Sequence, residues 1–461
     1  MRKIAAVIGS SGIGKSKLAV ELCKALHGQA INADALQVYK GLDIITNKMP
    51  VNEREGVKHH LMDFLNPEEE YKVTEFLKDA SNKIESISEQ NQLPVIVGGT
   101  NYYIQSLIWN NSLIGQKDKG PTLNDFPELD KLETSELYER LSQADPVMAN
   151  KWHPSDRRKI LRSLKVNSKE IKKKEEKIYQ ATKIFHQTGQ PQSEIIKLQK
   201  EQNESDGLKP RYRSLIFWIY AEPSKLNPRL DARVDQMIET GLFDEIKDLR
   251  NRVVQGLVKM PDYDVERYQR GLWQAIGYKE FDPYFNALEE GKEETELLKI
   301  KVECTERMKA ATRRYAKRQI QWIRNKLLPT VLNSKGDDVL VYVLDANDLE
   351  SWNLNVKDEA IKIAKAFQNN LPMPSPTSLS ETAETMLTLS ENAQDTQSRV
   401  LNWKKYVCDV CKSDKGEPLQ LNGDIEWQQH KKSRYHRKYV KHLKVEAMRK
   451  AYMELKKQEN A

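Results

Sequence analysis

The feature that most constrains the fold is a short glycine-rich loop near the N-terminus. It reads GSSGIGKS and fits the pattern G-x4-G-K-[ST]. An apolar run at 4–8 precedes it and a stretch of helical period at 15–26 follows it, so the pattern lies between a strand and a helix, as a phosphate loop requires. Backbone N–H groups and the helix N-terminus would face an anion there, and Lys15 would add a positive charge that simple packing of strand on helix does not explain. We therefore predict a phosphate-binding loop made of Gly9, Ser10, Ser11, Gly12, Ile13, Gly14, Lys15 and Ser16.

Further apolar runs predict a parallel sheet around this loop. Strands are expected at 30–39, which includes a turn, and at 93–97, 215–220 and 339–343, with helices at 73–90 and over most of 229–325. This alternation is typical of a doubly wound α/β fold, whose ligands lie at the carboxyl ends of the strands. We predict a P-loop NTPase-like core formed by residues 1–104 and 210–345.

The rest of the chain predicts additional domains, which 461 residues can accommodate. Residues 105–209 are highly charged and helical in pattern, and we interpret them as a helical insertion. Residues 346–400 are expected to form a helix and then a disordered linker, because 370–400 are rich in Ser, Thr and Pro and lack apolar periodicity. Residues 401–461 form a separate module with a basic tail.

Composition restricts the class of protein. The net charge is +7, which favours a polyanionic partner without requiring one, and the mean hydropathy is −0.71 with no apolar run long enough to cross a membrane. A strand begins within a few residues of Met1 and leaves no room for a presequence, so we expect the cytosol or the nucleus, and a mitochondrial form only from an upstream start. One polypeptide carries every group the chemistry needs, so a monomer is expected.

Two observations bear on which phosphate compound the loop binds. A P-loop NTPase normally places a second carboxylate for Mg²⁺ at the end of a hydrophobic strand, whereas the strand at 93–97 ends in Gly98, Gly99 and Thr100. A carboxylate does follow the second strand, where Asp34 could act as a general base and Gln37 could read a base edge. From spacing alone, an aspartate that caps the next helix explains Asp34 equally well.

The C-terminal module contains a candidate metal site. Cys408, Cys411, His430 and His436 have the spacing C-x2-C-x18-H-x5-H, a four-ligand set suited to tetrahedral, structural Zn²⁺. Four cysteines are too few for a disulfide framework, although incidental thiols are the alternative for this pair. The segment from Lys431 to Lys444 is basic with interleaved tyrosines, which suits phosphate contacts along an RNA stem.

Seven motifs in order resemble the tRNA dimethylallyltransferases, over roughly residues 1–345. After the phosphate loop come NADALQVYKGLDIITNK (32–48), HHLMD (59–63), VGGTNYY (97–103), HPSD (153–156), LDARVDQM (230–237) and YAKRQIQW (315–322). Eukaryotic members similarly carry a C-terminal zinc finger. The resemblance implies transfer of a dimethylallyl group from dimethylallyl diphosphate to N6 of the adenine 3′ of the anticodon, with Mg²⁺ as the catalytic metal.

The resemblance also implies that the helical insertion at 105–209 binds tRNA, and it implies roles for single residues. The loop would hold the diphosphate, Asp34 would be the general base, and Ser11 and Arg233 would assist catalysis. The family's D-S-M-Q is D-A-L-Q here, so a serine hydroxyl is replaced by Ala35. By the same transfer, and by the basic character of the C-terminal module, contacts to the tRNA anticodon stem-loop fall to Asp34, Ala35, Leu36, Gln37, Thr100, Arg158, Lys159, Arg162, Lys431, Lys432 and Arg434.

Two other functions compete with this interpretation. A P-loop kinase or NTPase would use the same loop, but the missing acidic strand end counts against it. A non-catalytic RNA-binding protein with a decayed loop is the second alternative, and the intact Lys15, Ser16, Asp34 and Arg233 count against decay.

Overall fold

The computed structural model describes residues 1–110, 129, 131–164, 209–260, 268, 270–332, 334, 338–388, 404–412, 416 and 418–459. Much of the predicted helical insertion therefore lies outside the described residues. The chain divides into two compact units, one comprising Met1–Leu113 with Asp206–Gln394 and the other Ile114–Ser205 with Asp395–Ala461. The insertion and the C-terminal module thus fall into one unit.

The elements alternate between strand and helix through the first unit. The described strands are β1 (Lys3–Gly9), β2 (Gly28–Asn32), β3 (His59–His60), β4 (Leu93–Val97), β5 (Arg213–Tyr220), β6 (Val339–Asp345), β7 (Lys405–Lys412) and β8 (Pro418–Asn422). The described α-helices are α1 (Lys15–Leu26), α2 (Val73–Glu89), α3 (Asn101–Ile108), α4 (Thr134–Ala144), α5 (Pro146–Lys151), α6 (157–164), α7 (Pro223–Glu239), α8 (Leu242–Val254), α9 (Asp282–Glu289), α10 (Glu294–Trp322), α11 (Glu359–Gln368), α12 (Glu381–Leu387), α13 (Gly423–Lys432) and α14 (Arg434–Glu459).

Several of these helices have short extensions or neighbours of other helical types. A π-helical turn, Ile323–Leu327, and the short helix Leu328–Leu332 continue α10, and a π-helical turn, Asn353–Asp358, leads into α11. Short 3₁₀ helices lie at Val51–Arg54, Gly271–Gln274 and Pro376–Ser378.

The first unit is built on a parallel sheet with strand order β3-β2-β4-β1-β5-β6. All five neighbouring pairs are parallel, and β1 is central, with Val7 opposite Val97 of β4 and Phe217 of β5. The core residues of β1 and β4 are almost fully buried, as expected of strands covered on both faces. The prediction of an α/β fold with a central parallel sheet is therefore confirmed.

Helices cover both faces of this sheet. On one face α2 and α3 pack with Ile4, Ile8 and Ile96, and on the other α1 and α11 pack with Val7 and Val95. A third cluster joins α7–α10 to the segment after β2. Since α3 belongs to the core through Ile108, the core extends past the predicted boundary at 104.

The prediction of a disordered linker over 370–400 is wrong for residues 371–388. This segment contains Pro376–Ser378 and α12, and it packs on the sheet through Ala383 and Met386, which are 0% and 5% exposed. The hydroxyl of Tyr342 donates to Pro374 O at 2.7 Å, and Thr382 bonds with Asp345. Few apolar residues suffice because they lie at helical spacing on one face; residues 389–403 are outside the described part.

The second unit contains a small helical core and a two-stranded hairpin. Leu137 and Leu141 of α4 pack with residues of α5 and α6. The strands β7 and β8 form an antiparallel hairpin, irregular between Cys408 and Lys412, and α13 and α14 follow it. Lys405 of β7 donates to Ala149 O at 2.9 Å, so the hairpin contacts the helices of its own unit.

Candidate active site and Cys/His cluster

The sheet order brings three predicted site segments to one edge. Because β1, β4 and β2 are parallel neighbours, the glycine-rich loop after β1, Gly98–Thr100 after β4 and Asp34 after β2 meet at their carboxyl ends. Arg233 of α7 reaches the same place, since its Nη1 is 3.7 Å from the point where a side chain on Gly12 would begin. The sequence predicted this convergence through the strand pattern, but Arg233 only through the resemblance.

The loop itself is held from inside the protein. Ser10 and Ile13 are each 2% exposed, and Ile13 packs in the core between β1 and α1. The N–H of Ser11 donates to Gln319 Oε1 at 2.8 Å, and Gln319 Nε2 donates to Gly99 O at 3.0 Å. Gln319 of α10 therefore joins the loop to the end of β4, and Ser16 lies in the first turn of α1.

The electrostatics of the loop centre on Lys15. Its ammonium donates to Ser10 O at 2.7 Å. Burial lowers the pKa of Lys15 to about 8, while the Asp34 carboxylate opposes the shift and Arg233 adds to it. Burial also lowers the pKa of Arg233. Two partly desolvated cations thus lie close to one carboxylate, an arrangement that favours a bound polyanion.

Asp34 is fixed by the backbone around it. Its Oδ1 accepts from Leu36 N at 3.0 Å, and its own N–H donates to Asn32 Oδ1 at 3.1 Å. A Cβ on Gly99 would lie 3.1 Å from Asp34 Oδ2 and 2.7 Å from Gln319 Nε2, so any larger residue at this position would displace the Gln319 amide and crowd the carboxylate. In the described segment that directly follows Asp34 no helix begins, so the alternative of a helix-capping aspartate is wrong. The contact with Leu36 N lies within a turn and fixes the carboxylate at the end of β2.

The remaining residues of this segment have structural partners as well. Thr100 Oγ1 accepts from Ala35 N at 3.0 Å, so this threonine anchors the residue beside Asp34. Gln37 Nε2 donates to Asn47 O at 3.1 Å and lies 3.4 Å from Thr46 O. The amide plane of Gln37 is thereby set by the loop that follows.

This following loop, 43–48, holds site residues that the sequence patterns did not single out. Asn47, at φ +55°, bonds through Oδ1 with Arg233 and through its carbonyl with Gln37. Lys48, whose side chain is 1% exposed, bonds with Tyr39 O, Asp63 and, at 2.8 Å, Asp43.

Glu245 of α8 holds the other end of the loop. Its carboxylate accepts from the N–H groups of Ile44 and Ile45 at 3.0 and 2.7 Å. Asn47 and Lys48 lie in the motif at 32–48, but nothing in the sequence indicates that this lysine is buried among oxygen acceptors. Glu245 and Gln319 lie on helices far along the chain, so no local pattern links them to the loop.

The predicted metal ligands come together in the second unit. One ligand atom from each of Cys408, Cys411, His430 and His436 lies within 4.8 Å of all the others. Both cysteine sulfurs are 3.5 Å from His436 Nδ1, and Nε2 of His430 is buried with no hydrogen-bond partner among the described residues. Two sulfur and two imidazole donors at this separation could hold a metal ion.

The predicted RNA-contact residues of the second unit lie on helix surfaces. Arg158, Lys159 and Arg162 are exposed on α6, and Lys159 pairs with Asp156 at 2.5 Å. Lys431, Lys432 and Arg434 are exposed at the junction of α13 and α14, where Lys431 Nζ is 5.3 Å from the Trp427 ring centroid. Exposed cations of this kind suit phosphate contacts and are equally compatible with a solvated face.

Among the described residues, none of the helices has the length and apolar character needed to cross a membrane.

Comparisons with known proteins agree on one family. Residues 37–326 match the family model described as IPP transferase. The chain is 38% identical to the tRNA dimethylallyltransferase of Schizosaccharomyces pombe, over 97% of each chain, and 35% identical to that of Saccharomyces cerevisiae, over 95% of this chain and 92% of the relative. A solved structure of a eukaryotic dimethylallyltransferase acting on tRNA matches with a TM-score of 0.73 and 32% identity, covering 98% of this chain and 100% of that one. Because the family model matches more than half of the chain and the relatives match almost all of it, this chain belongs to the IPP transferase family.

Proposed function

We propose that this protein transfers the dimethylallyl group of dimethylallyl diphosphate to N6 of the adenine 3′ of the anticodon in certain tRNAs. The observation that carries the proposal is the meeting of Lys15, Asp34 and Arg233 at the carboxyl edge of the sheet. The loop and the cations of Lys15 and Arg233 would neutralise the charge of the diphosphate, and the Asp34 carboxylate would accept the proton that the adenine N6 amine must lose.

The donor is held by the P-loop NTPase-like loop, from Gly9 to Ser16. Its backbone N–H groups and the N-terminus of α1 face the diphosphate, and Lys15 and Arg233 neutralise it. Charge on the bridging oxygen increases as the bond from C1 breaks, so these cations stabilise the transition state more than the bound donor. Ser11, whose N–H now bonds with Gln319, belongs to the same cradle.

The acceptor adenine enters from the side of Asp34. N6 forms the new bond to C1 of the dimethylallyl group, the C1–O bond breaks with its electron pair going to diphosphate, and the N6 proton moves to Asp34. The adenine must leave the anticodon stack to reach this edge, as other enzymes that act on bases require. Gln37, oriented by Asn47, and the segment Ala35–Leu36 held by Thr100 would contact the base.

Mg²⁺ fits the donor side of this site. Ser16, partly buried in the first turn of α1, offers a hydroxyl oxygen beside the diphosphate, and oxygen donors with waters and substrate oxygens are what Mg²⁺ prefers. When bound, the ion would neutralise charge on the leaving diphosphate.

The Cys/His cluster is proposed as a structural Zn²⁺ site. Its four donors leave no open coordination position, and Tyr406 and Trp427 stack 5.3 Å apart beside it. With α6 and the start of α14, this module would hold the anticodon stem-loop, through Arg158, Lys159, Arg162, Lys431, Lys432 and Arg434. A monomer in the cytoplasm is the proposed setting.

The test replaces the proposed base while preserving its contacts. Purified protein with Mg²⁺, radiolabelled dimethylallyl diphosphate and unmodified tRNA should place label in the RNA. Asp34→Asn keeps an oxygen that accepts from Leu36 N but cannot take a proton, so its rate should fall about a hundredfold to ten-thousandfold.

The exposed Asp248→Asn of α8 is the matched control and should be unchanged. A labelled product that persists in Asp34→Asn would reject Asp34 as the base. No label in wild-type protein together with turnover of ATP would favour the kinase class instead.

A further inference from the structure

Trp352 lies immediately before the π-helical turn that leads into α11, beyond residue 326 where the family-model match ends. Its side chain is buried, at 4% exposure, against α1. Trp352 lies outside the seven sequence motifs, which end at residue 322, and its described contacts include none of the reacting groups in the proposed reaction. Its contacts nevertheless converge on the start of α1, the helix that follows the glycine-rich loop.

The closest of these contacts is with Gly14. This glycine is the last residue before α1 and has φ +94°, a conformation that side chains rarely adopt. A Cβ there would lie 2.5 Å from Cη2 and 2.8 Å from Cζ3 of Trp352, so the benzo ring of the indole lies directly against the loop backbone. The ring therefore fills the space beside Gly14, the residue immediately before the first turn of α1.

Two further contacts fix the ring relative to α1. The indole N–H donates to both carboxylate oxygens of Glu21 at 3.2 Å, and Lys17 Nζ is 4.9 Å from the ring centroid. Burial raises the pKa of the Glu21 carboxyl, and the indole hydrogen bond opposes that shift. The indole is therefore held by directional contacts on the first two turns of α1, in addition to apolar packing.

We propose that Trp352 is a positioning residue for the donor diphosphate, acting through Gly14. A tryptophan ring pressed on the turn keeps the N–H groups of Gly14, Lys15 and Ser16 aimed at one point, so the diphosphate binds without first ordering the loop. This inference rests on the proposed function, because it names what the loop is positioned to bind. The segment after β6 would thus contribute to the affinity for the donor and not to the rate of the chemical step.

The main test is Trp352→Phe, which keeps an aromatic ring in the core and removes the atoms that reach Gly14 and the indole N–H. The KM for dimethylallyl diphosphate should rise about tenfold, equivalent to one or two lost backbone hydrogen bonds, while kcat and the KM for tRNA stay within about twofold. The Kd for inorganic pyrophosphate, measured by calorimetry without tRNA, should rise by the same factor.

The matched control for lost core volume is Phe367→Leu on α11. Phe367 is 1% exposed and packs near Lys3 and Arg213, the first residues of β1 and β5, at the opposite edge of the sheet from the loop. It should lower Tm comparably and leave both pyrophosphate affinity and donor KM unchanged. Equal changes in Kd for the two variants would mean that Trp352 acts only through stability and would overturn the proposal.

A second pair of variants tests the indole hydrogen bond alone. Glu21→Gln keeps an acceptor and should match wild type, whereas Glu21→Leu should raise the pyrophosphate Kd about threefold. An unchanged Kd in both Glu21→Leu and Trp352→Phe also overturns the proposal. Absence of label transfer by wild-type protein would reject the proposed function separately, because pyrophosphate binding still reports on the loop.

Discussion

The glycine-rich loop and the Cys/His cluster are both recognisable from short sequence patterns, yet they are held in opposite ways. The loop is contiguous, but its partners come from Arg233, Gln319 and Trp352, hundreds of residues away, and a buried parallel sheet lies beneath it. The cluster takes all its ligands from a hairpin and the two helices after it, where Val407 and Tyr435 are 49% and 56% exposed.

The difference lies in what provides the ordering free energy. At the loop, burial of apolar side chains on both faces of a sheet orders the backbone, and polar contacts only refine it. Around the cluster the described residues bury little apolar surface, so in the proposed zinc site metal coordination would supply much of the folding free energy. Metal removal should therefore weaken tRNA binding and leave donor binding unchanged, whereas changes around the loop should affect donor binding and leave metal content unchanged.

The largest expected effect follows from breaking the cluster. Cys408→Ser should abolish tight zinc binding and weaken tRNA affinity about tenfold or more, because the basic start of α14 loses its support. The KM for dimethylallyl diphosphate should not change. Metal content by mass spectrometry and tRNA Kd by filter binding measure this, with the exposed Asp409→Asn, between the two cysteines, as the control. An equal loss of donor binding would show that the two regions are not separable.

A smaller effect is expected from Lys48→Met, which changes the buried lysine of loop 43–48. Removing the buried ammonium leaves Tyr39 O without its donor and Asp63 with only the Arg54 guanidinium at 3.7 Å, which should lower the free energy of unfolding by about 1–3 kcal/mol. Asn47 then holds Arg233 less well, so kcat/KM for the donor should fall about tenfold. Lys24→Met is the control, since the Lys24–Glu55 pair is about half exposed and should contribute little. Donor kinetics equal to wild type would remove Lys48 from the positioning network.

The smallest expected effect is a pH dependence of donor binding at the glycine-rich loop. With a pKa of about 8 in the free enzyme, Lys15 loses its proton as pH rises through that value, and the diphosphate then meets a neutral amine. Raising the pH from 7 to 8.5 should therefore lower kcat/KM for the donor about fourfold, as the protonated fraction falls. The bound diphosphate favours the ammonium, so kcat should change less. A flat profile of donor kcat/KM would contradict the role of the Lys15 charge.

Much of the fold was predictable because its signals are local. The continuous apolar runs around Val7 and Val95 predict buried parallel strands, and the glycines and Lys15 predict the phosphate loop between β1 and α1. The prediction of a disordered linker was wrong for 371–388 because it was based on the polar composition of the segment and not on the positions of its few apolar residues. Ala383 and Met386, one helical turn apart, order a stretch that is otherwise polar.

The sequence by itself determined the strand and helix alternation, the glycine-rich turn and the carboxylate after β2, because each depends on neighbours within a few residues. It also determined the spacing of the four candidate metal ligands, because all four lie within one short stretch of chain, from Cys408 to His436. The tertiary structure decided which distant side chains complete these sites. Gln319 meets Ser11 because α10 crosses the end of β4, Asn47 meets Arg233 because α7 and α8 pack on the segment after β2, and Trp352 meets Gly14 because α11 packs on α1. Such contacts follow from the packing of whole elements, and no spacing along the chain encodes them.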